Sequence, residues 1–184
     1  MAELILLHHA KNIQKFGAVF AFVPLFAVPA TEINIAPNTS LVANDAGASV
    51  EEIREERAAK IEKYYSDRSM PLEDKAMKFV LEAEKYGLDW RLLPAIAVRE
   101  SSGGKNACYN NPFGWGSCKI KFGSYDEAIE MLAKNLGGAN KKTSYYYAGK
   151  TTEEKLYYYN GTVVPTYPKE VLAIMDRLDK VDLD

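Results

Sequence analysis

Residues 99–118 read RESSGGKNACYNNPFGWGSC: one carboxylate at the end of an apolar segment, then glycines, amides and aromatics between two cysteines. Glu100 is the residue on which acid chemistry can be built. The preceding stretch, LDWRLLPAIAVRE, is apolar nearly all round from Leu92 to Val98, the pattern of a buried helix. A carboxyl at the C-terminal end of such a helix meets the negative end of the helix dipole, which disfavours its ionisation. Apolar surroundings act in the same direction, because desolvation penalises the charged form. A carboxylic acid kept protonated near neutral pH is what glycosidic bond cleavage requires at the leaving oxygen. On spacing alone, an ordinary exposed Glu in a last helical turn is an equally good reading.

The following loop favours the acid. Phe113 and Trp115 flank Gly114, and the amides of Asn110 and Asn111 precede them. Aromatic faces stack on sugar rings, and Asn side chains bond hydroxyl and acetamido groups. One of the two aromatics is expected to be a core plug instead. Gly103-Gly104 ends the helix and would let a substrate approach the backbone. Cys108 and Cys118 are the chain's two cysteines, and they bracket the loop. A disulfide between them would contribute about 2–3 kcal/mol and hold the loop rigid. A zinc pair would lack further ligands.

Other chemistries are excluded by what the chain lacks. Its two histidines, His8 and His9, lie in the N-terminal segment discussed below, so the mature chain would have none for a Ser-His-Asp or Cys-His site or a His-ligated zinc. No metal and no cofactor is expected. A net charge of −2 gives no sign of a nucleic-acid partner.

The elements that must position Glu100 can be read in order. Phe16–Ala30 is an uncharged run after the basic HHAKNIQK, ending in Val-Pro-Ala. It reads as a signal peptide over 1–30, with an uncleaved membrane anchor as the rival, although it is short of the roughly 20 residues a span needs. Either reading puts the rest of the chain outside the cytoplasm, secreted or anchored. Residues 31–69 read as a linker and a charged, mostly solvated helix from the capping box Ser49/Glu52. The compact domain is expected over 70–184. There PLEDKAMKFVLEAEKYG is a helix with Pro71 in its first turn and Gly87 as its stop. Asp89 is a plausible cap for the Glu100 helix, Ser124 and Glu127 cap SYDEAIEMLAKNL, Thr151 or Thr152 caps the next helix, and a last helix follows Pro168. Strand signals are confined to KIKFG and GTVV. The fold class is therefore mainly α with long loops. Of the tyrosine runs 145–147 and 157–159, at most one ring each is expected to face a cleft, the rest being semi-buried packing.

IAVRESSGG, then NNPFG, then FGSYDEAIEMLAKNL resembles the lysozyme-superfamily glucosaminidases that act on bacterial peptidoglycan, whose markers are a helix ending in Glu-Ser-x-x-Gly and a following Asn-x-Phe-Gly. YYYNGTVVPTYPKEVLAIM is similar to the C-terminal part of soluble lytic transglycosylases. The resemblance covers roughly residues 70–178. It implies a lysozyme-like helical domain with Glu100 as general acid, Ser101 beside it, and Tyr159 and Asn160 lining the cleft. Asn111, Phe113, Trp115 and Tyr125 complete the expected substrate-binding set. Trp115, the cysteine pair and Asn160-Gly161-Thr162 depart from those families' patterns.

The second carboxylate is the mechanistic question, since ordinary glycosidases place two about 5–5.5 Å or about 6.5–9.5 Å apart. Asp126, Glu127 and Glu130 are the candidates, and Glu127 also reads as a cap. If none reaches the cleft, the resemblance implies the transglycosylase route, in which the one Glu serves as acid and then base while the sugar's own 6-hydroxyl attacks. The expected partner is peptidoglycan or a related N-acetylhexosamine glycan, met by a monomer. A non-catalytic wall-binding module is the alternative from another class.

Overall fold

The computed structural model describes residues 48–184. The signal or anchor segment and the linker expected before them lie outside the described residues. Among the described residues no helix is long and apolar enough to cross a membrane.

Seven helices carry the structure: α1 (Val50–Ser66), α2 (Ala76–Lys85), α3 (Leu92–Ser101), α4 (Tyr125–Leu136), α5 (Ser144–Tyr147), α6 (Thr152–Leu156) and α7 (Tyr167–Asp179). A 3-10 turn over Glu73–Lys75 precedes α2, and a π-helical turn over Tyr157–Gly161 follows α6. KIKFG and TVV are turn, bend and coil, and the strand-like pairing among the described residues is the isolated bridge Cys108–Asn111. The fold is mainly α.

Local chemistry sets most boundaries. Ser49 and Glu52 form a reciprocal capping box, as do Thr151 and Glu154, and the Ser124 hydroxyl accepts from the Glu127 N–H. Asp89 accepts from the Arg91 N–H ahead of α3, and Pro94 falls in that helix's first turn, where its missing N–H costs nothing. Pro71 sits in a turn before the 3-10 segment rather than in α2 itself.

α1 departs from the expected solvated spacer. Ile61 and Tyr65 are fully buried, Ala58 and Tyr64 nearly so, and α1 packs on α2 and α7. The Tyr65 hydroxyl donates to the Pro94 carbonyl at 2.9 Å. Each fully buried side chain of this size contributes roughly 1.5–3 kcal/mol, which outweighs the charged residues on the helix's other faces. This helix therefore packs into the same body as the helices that follow it.

α3 lies at the centre of the packing. Leu92, Leu93, Ala95, Ile96 and Ala97 are wholly buried against α7, α2 and α4. It therefore presents Glu100 from a rigid element whose other turns are fixed.

Candidate active site

α3 ends in a left-handed cap at Ser102, and the Gly103 N–H bonds back to the Ala97 carbonyl at 3.0 Å. Ser101 is buried and serves this ending. Its hydroxyl donates to the Pro112 carbonyl at 2.8 Å and accepts from the Gly104 N–H at 3.0 Å, tying the helix end to the loop. Ser101 is therefore a brace, with no hydroxyl left to meet a substrate. Nor do the glycines admit one. A Cβ on Gly103 would stand 2.6 Å from Met70 Sδ, and one on Gly104 2.9 Å from Leu72 Cγ. The close approach at these positions belongs to the core.

Cys108 and Cys118 form a disulfide with Cα atoms 6.0 Å apart. Inside the ring, Tyr109 and Asn110 both have positive φ in a tight turn closed by Asn111 N–H to Cys108 C=O at 2.9 Å. That mirror-image turn is costly for side-chain-bearing residues, and the cross-link and the Asn110 amide, which donates to the Phe122 carbonyl at 3.1 Å, hold it. Asn111 is 1% exposed; it donates to the Trp115 carbonyl at 2.8 Å and accepts from the Trp115 N–H at 3.2 Å. Asn111 is thus the loop's internal strut rather than a sugar ligand. Phe113, 1% exposed, is the core plug of the aromatic pair, and Trp115 is the partly exposed one.

The loop brings Gly114 against the acid. A Cβ there would lie 3.2 Å from Glu100 Oε2, and its φ of +63° suits glycine. Glu100 is half-buried, and its Oε1 is buried with no hydrogen-bond partner. Burial pushes its carboxyl above the ordinary glutamate range; the Tyr167 hydroxyl and the Arg99 charge oppose this without cancelling it. Tyr167 lies close enough to act on the carboxyl, yet its own hydroxyl completes no well-formed hydrogen bond. The Arg99 guanidinium is committed to Glu170 on α7 and sits 5.7 Å from the centre of the Tyr167 ring.

Tyr159, held by the π-helical turn, stacks on Tyr167 with ring centres 5.8 Å apart and donates to the Phe113 carbonyl at 2.6 Å. Trp115 packs against Tyr159 at 5.7 Å. Gly114, Tyr159 and Tyr167 therefore lie around Glu100, with Phe113 and Trp115 packed behind them against Tyr159. Asn160 is half-buried next to Tyr159, and Tyr125 is half-buried where α4 begins. Tyr167 lies outside the residues expected at the site, because nothing in the spacing of TYPKEV says that it reaches back 67 positions to Glu100.

The three candidate second carboxylates are engaged elsewhere. Asp126 pairs with Lys75 at 3.3 Å, Glu127 accepts from the Gly123 N–H at 2.7 Å, and Glu130 pairs with Lys85 at 3.4 Å. All three are exposed on α4. Among the described residues no group of three or more His, Cys, Asp or Glu is placed to hold a metal ion. A surface hollow of about 370 Å³ between α1 and the start of α2, lined by Glu55, Glu62, Glu73 and Asp74, contains none of the Glu100 cluster. No protein-family model, no curated protein and no solved structure matches the chain.

Proposed function

We propose that the protein is a glycosidase with a lysozyme-like helical domain, cleaving β-1,4 bonds between N-acetylhexosamines in peptidoglycan with Glu100 as general acid. The observation that carries this reading is the Glu100 carboxyl, fixed at the end of a buried helix, raised in pKa by burial and left without a hydrogen-bond partner on Oε1. Burial favours the protonated form of such a carboxyl, the form a general acid needs. It would protonate the glycosidic oxygen as the C1–O bond breaks, with Trp115 as the stacking face. The ionised carboxylate would then take a proton from the attacking group.

The commitment of Asp126, Glu127 and Glu130 to other partners favours a single-carboxylate variant. There Glu100 acts as acid and then base, and the sugar 6-hydroxyl attacks to leave a 1,6-anhydro end. Work on a wall polymer implies a site outside the cytoplasm, in keeping with the disulfide. Mass spectrometry of purified peptidoglycan incubated with the protein and with Glu100→Gln tests the reading. Soluble fragments from the parent alone are expected, lighter by one water if the 6-hydroxyl attacks and ending in reducible hexosamine if water does. Wall binding by both proteins with no fragments from either would reduce the protein to a binding module.

A further inference from the structure

The two tyrosine runs meet at their second members and share Trp115 at their third. Their third members, Tyr147 and Tyr159, turn inward to Trp115, with ring centres 6.5 and 5.7 Å away. Their second members, Tyr146 and Tyr158, contact each other at 5.7 Å. The first members extend this pair, Tyr145 at 5.2 Å from Tyr146 and Tyr157 at 5.5 Å from Tyr158. The row Tyr145–Tyr146–Tyr158–Tyr157 is therefore unbroken and open to solvent, its members 83, 46, 37 and 50% exposed. This corrects the expectation that most of these rings are semi-buried packing: one per run turns inward and two face outward. The short α5 and the wider π-helical turn set that division, because successive residues in each project in different directions.

We infer that this row is a second sugar-binding platform, which takes the part of a glycan strand that extends beyond the bond presented to Glu100. The inference rests on the glycan reading of the Glu100 site. Exposed aromatics scattered singly need no explanation, but a contiguous group marks a binding surface. The row joins the site through Tyr146 and Tyr147, 6.4 Å apart, and then through Trp115, Tyr159 and Tyr167. A linear polymer lying over Trp115 can thus continue across aromatic surface. All four side chains are phenols, which combine an apolar face for a pyranose ring with a hydroxyl for its substituents. Their two torsions each also make immobilisation cheap.

The test uses the full chain carrying Glu100→Gln, so that bound sugar is not consumed, and a hexamer of β-1,4-linked N-acetylglucosamine as the probe. Adding Tyr146→Ser and Tyr158→Ser is expected to weaken hexamer binding by calorimetry on the order of tenfold, about 1.4 kcal/mol, with a loss that grows with oligomer length. Ring resonances of Tyr145, Tyr146, Tyr157 and Tyr158 should shift when the hexamer is added to protein with its tyrosines intact, a readout independent of how the substitutions fold. Unchanged hexamer affinity together with unmoved tyrosine resonances would overturn the inference. So would a dimer in sedimentation that the two substitutions dissociate and the hexamer does not, since the row would then hold a second copy of the chain. If peptidoglycan is cleaved but the serine substitutions leave hexamer affinity intact and the tyrosine resonances do not move, the platform falls and the acid stands. If nothing is cleaved but the tyrosine resonances respond, the acid falls and the platform stands.

Discussion

Glu82 and Glu100 are both carboxylates withdrawn from water, and the fold treats them in opposite ways. Glu82, on α2 and 6% exposed, is held between Lys78 at 2.8 Å and Lys85 at 3.3 Å. Glu100, at the end of α3, has Gly114 and Tyr167 against it, while the nearest cation, Arg99, is turned to Glu170. Two ammonium groups are counter-ions to Glu82, whereas at Glu100 burial outweighs the Tyr167 hydroxyl and the Arg99 charge and favours the proton. A buried carboxylate with counter-ions is structural by default, and one without them points to function.

Substituting the two glutamates breaks the comparison most strongly. Glu100→Gln is expected to lower glycan cleavage by about 10²- to 10⁴-fold, the usual contribution of a general acid, as read by fragment release. Glu82→Gln is expected to leave cleavage near parental. The stability effects should run the other way. Because the folded-state pKa of Glu100 lies above its unfolded value, its contribution to stability is fully present below the unfolded pKa and is lost as pH rises through the folded one. Glu100→Gln should therefore raise the melting temperature relative to the parent at pH 8 and do so less at pH 4. An equal shift at both pH values would mean that Glu100 is not held protonated.

Reducing the disulfide, or replacing Cys108 and Cys118 with Ser, should cost about 2–3 kcal/mol in denaturant unfolding. Activity should fall as well, because the ring positions Gly114 and Trp115 around the acid. Gly114→Ala sharpens that point with a smaller change. The left-handed conformation costs a side-chain-bearing residue about 1–2 kcal/mol, and the new methyl would press on Glu100 Oε2. A displacement of the acid on this scale can lower turnover by up to about 10²-fold, measured as kcat with circular dichroism as the folding control.

Tyr167→Phe is the mildest test. Its hydroxyl opposes the upward shift of Glu100, so its removal should raise the Glu100 pKa further. A general acid must be protonated to act, and the alkaline limb of the pH–rate profile should therefore move to higher pH. Movement to lower pH would mean that Tyr167 supports the protonated form.

The sequence carried the helices further than it carried the surroundings of Glu100. Capping boxes at Ser49 and Thr151, the Ser124 cap and the apolar run of α3 are local signals, and they mark the helices where they form. The depth of α1 was not legible, because its apolar stripe through Ile61 and Tyr64 is thin and the rest of the helix is charged. Ser101, Asn111 and the Gly103-Gly104 pair were read as groups facing a substrate but face the protein's own backbone and core. A hydroxyl, an amide or a missing Cβ serves either purpose, and only the tertiary arrangement decides. Tyr167 and the paired tyrosine runs depend on contacts between distant segments, which no periodicity encodes.

Burial holds the Glu100 carboxyl above the ordinary glutamate range. Carboxyl 13C titration of the full chain, with Glu100→Gln to assign its resonance, tests this most directly. The Glu100 midpoint is expected above the usual glutamate value of about 4.3. A midpoint at or below that value would leave Glu100 ionised near neutral pH and contradict the acid assignment.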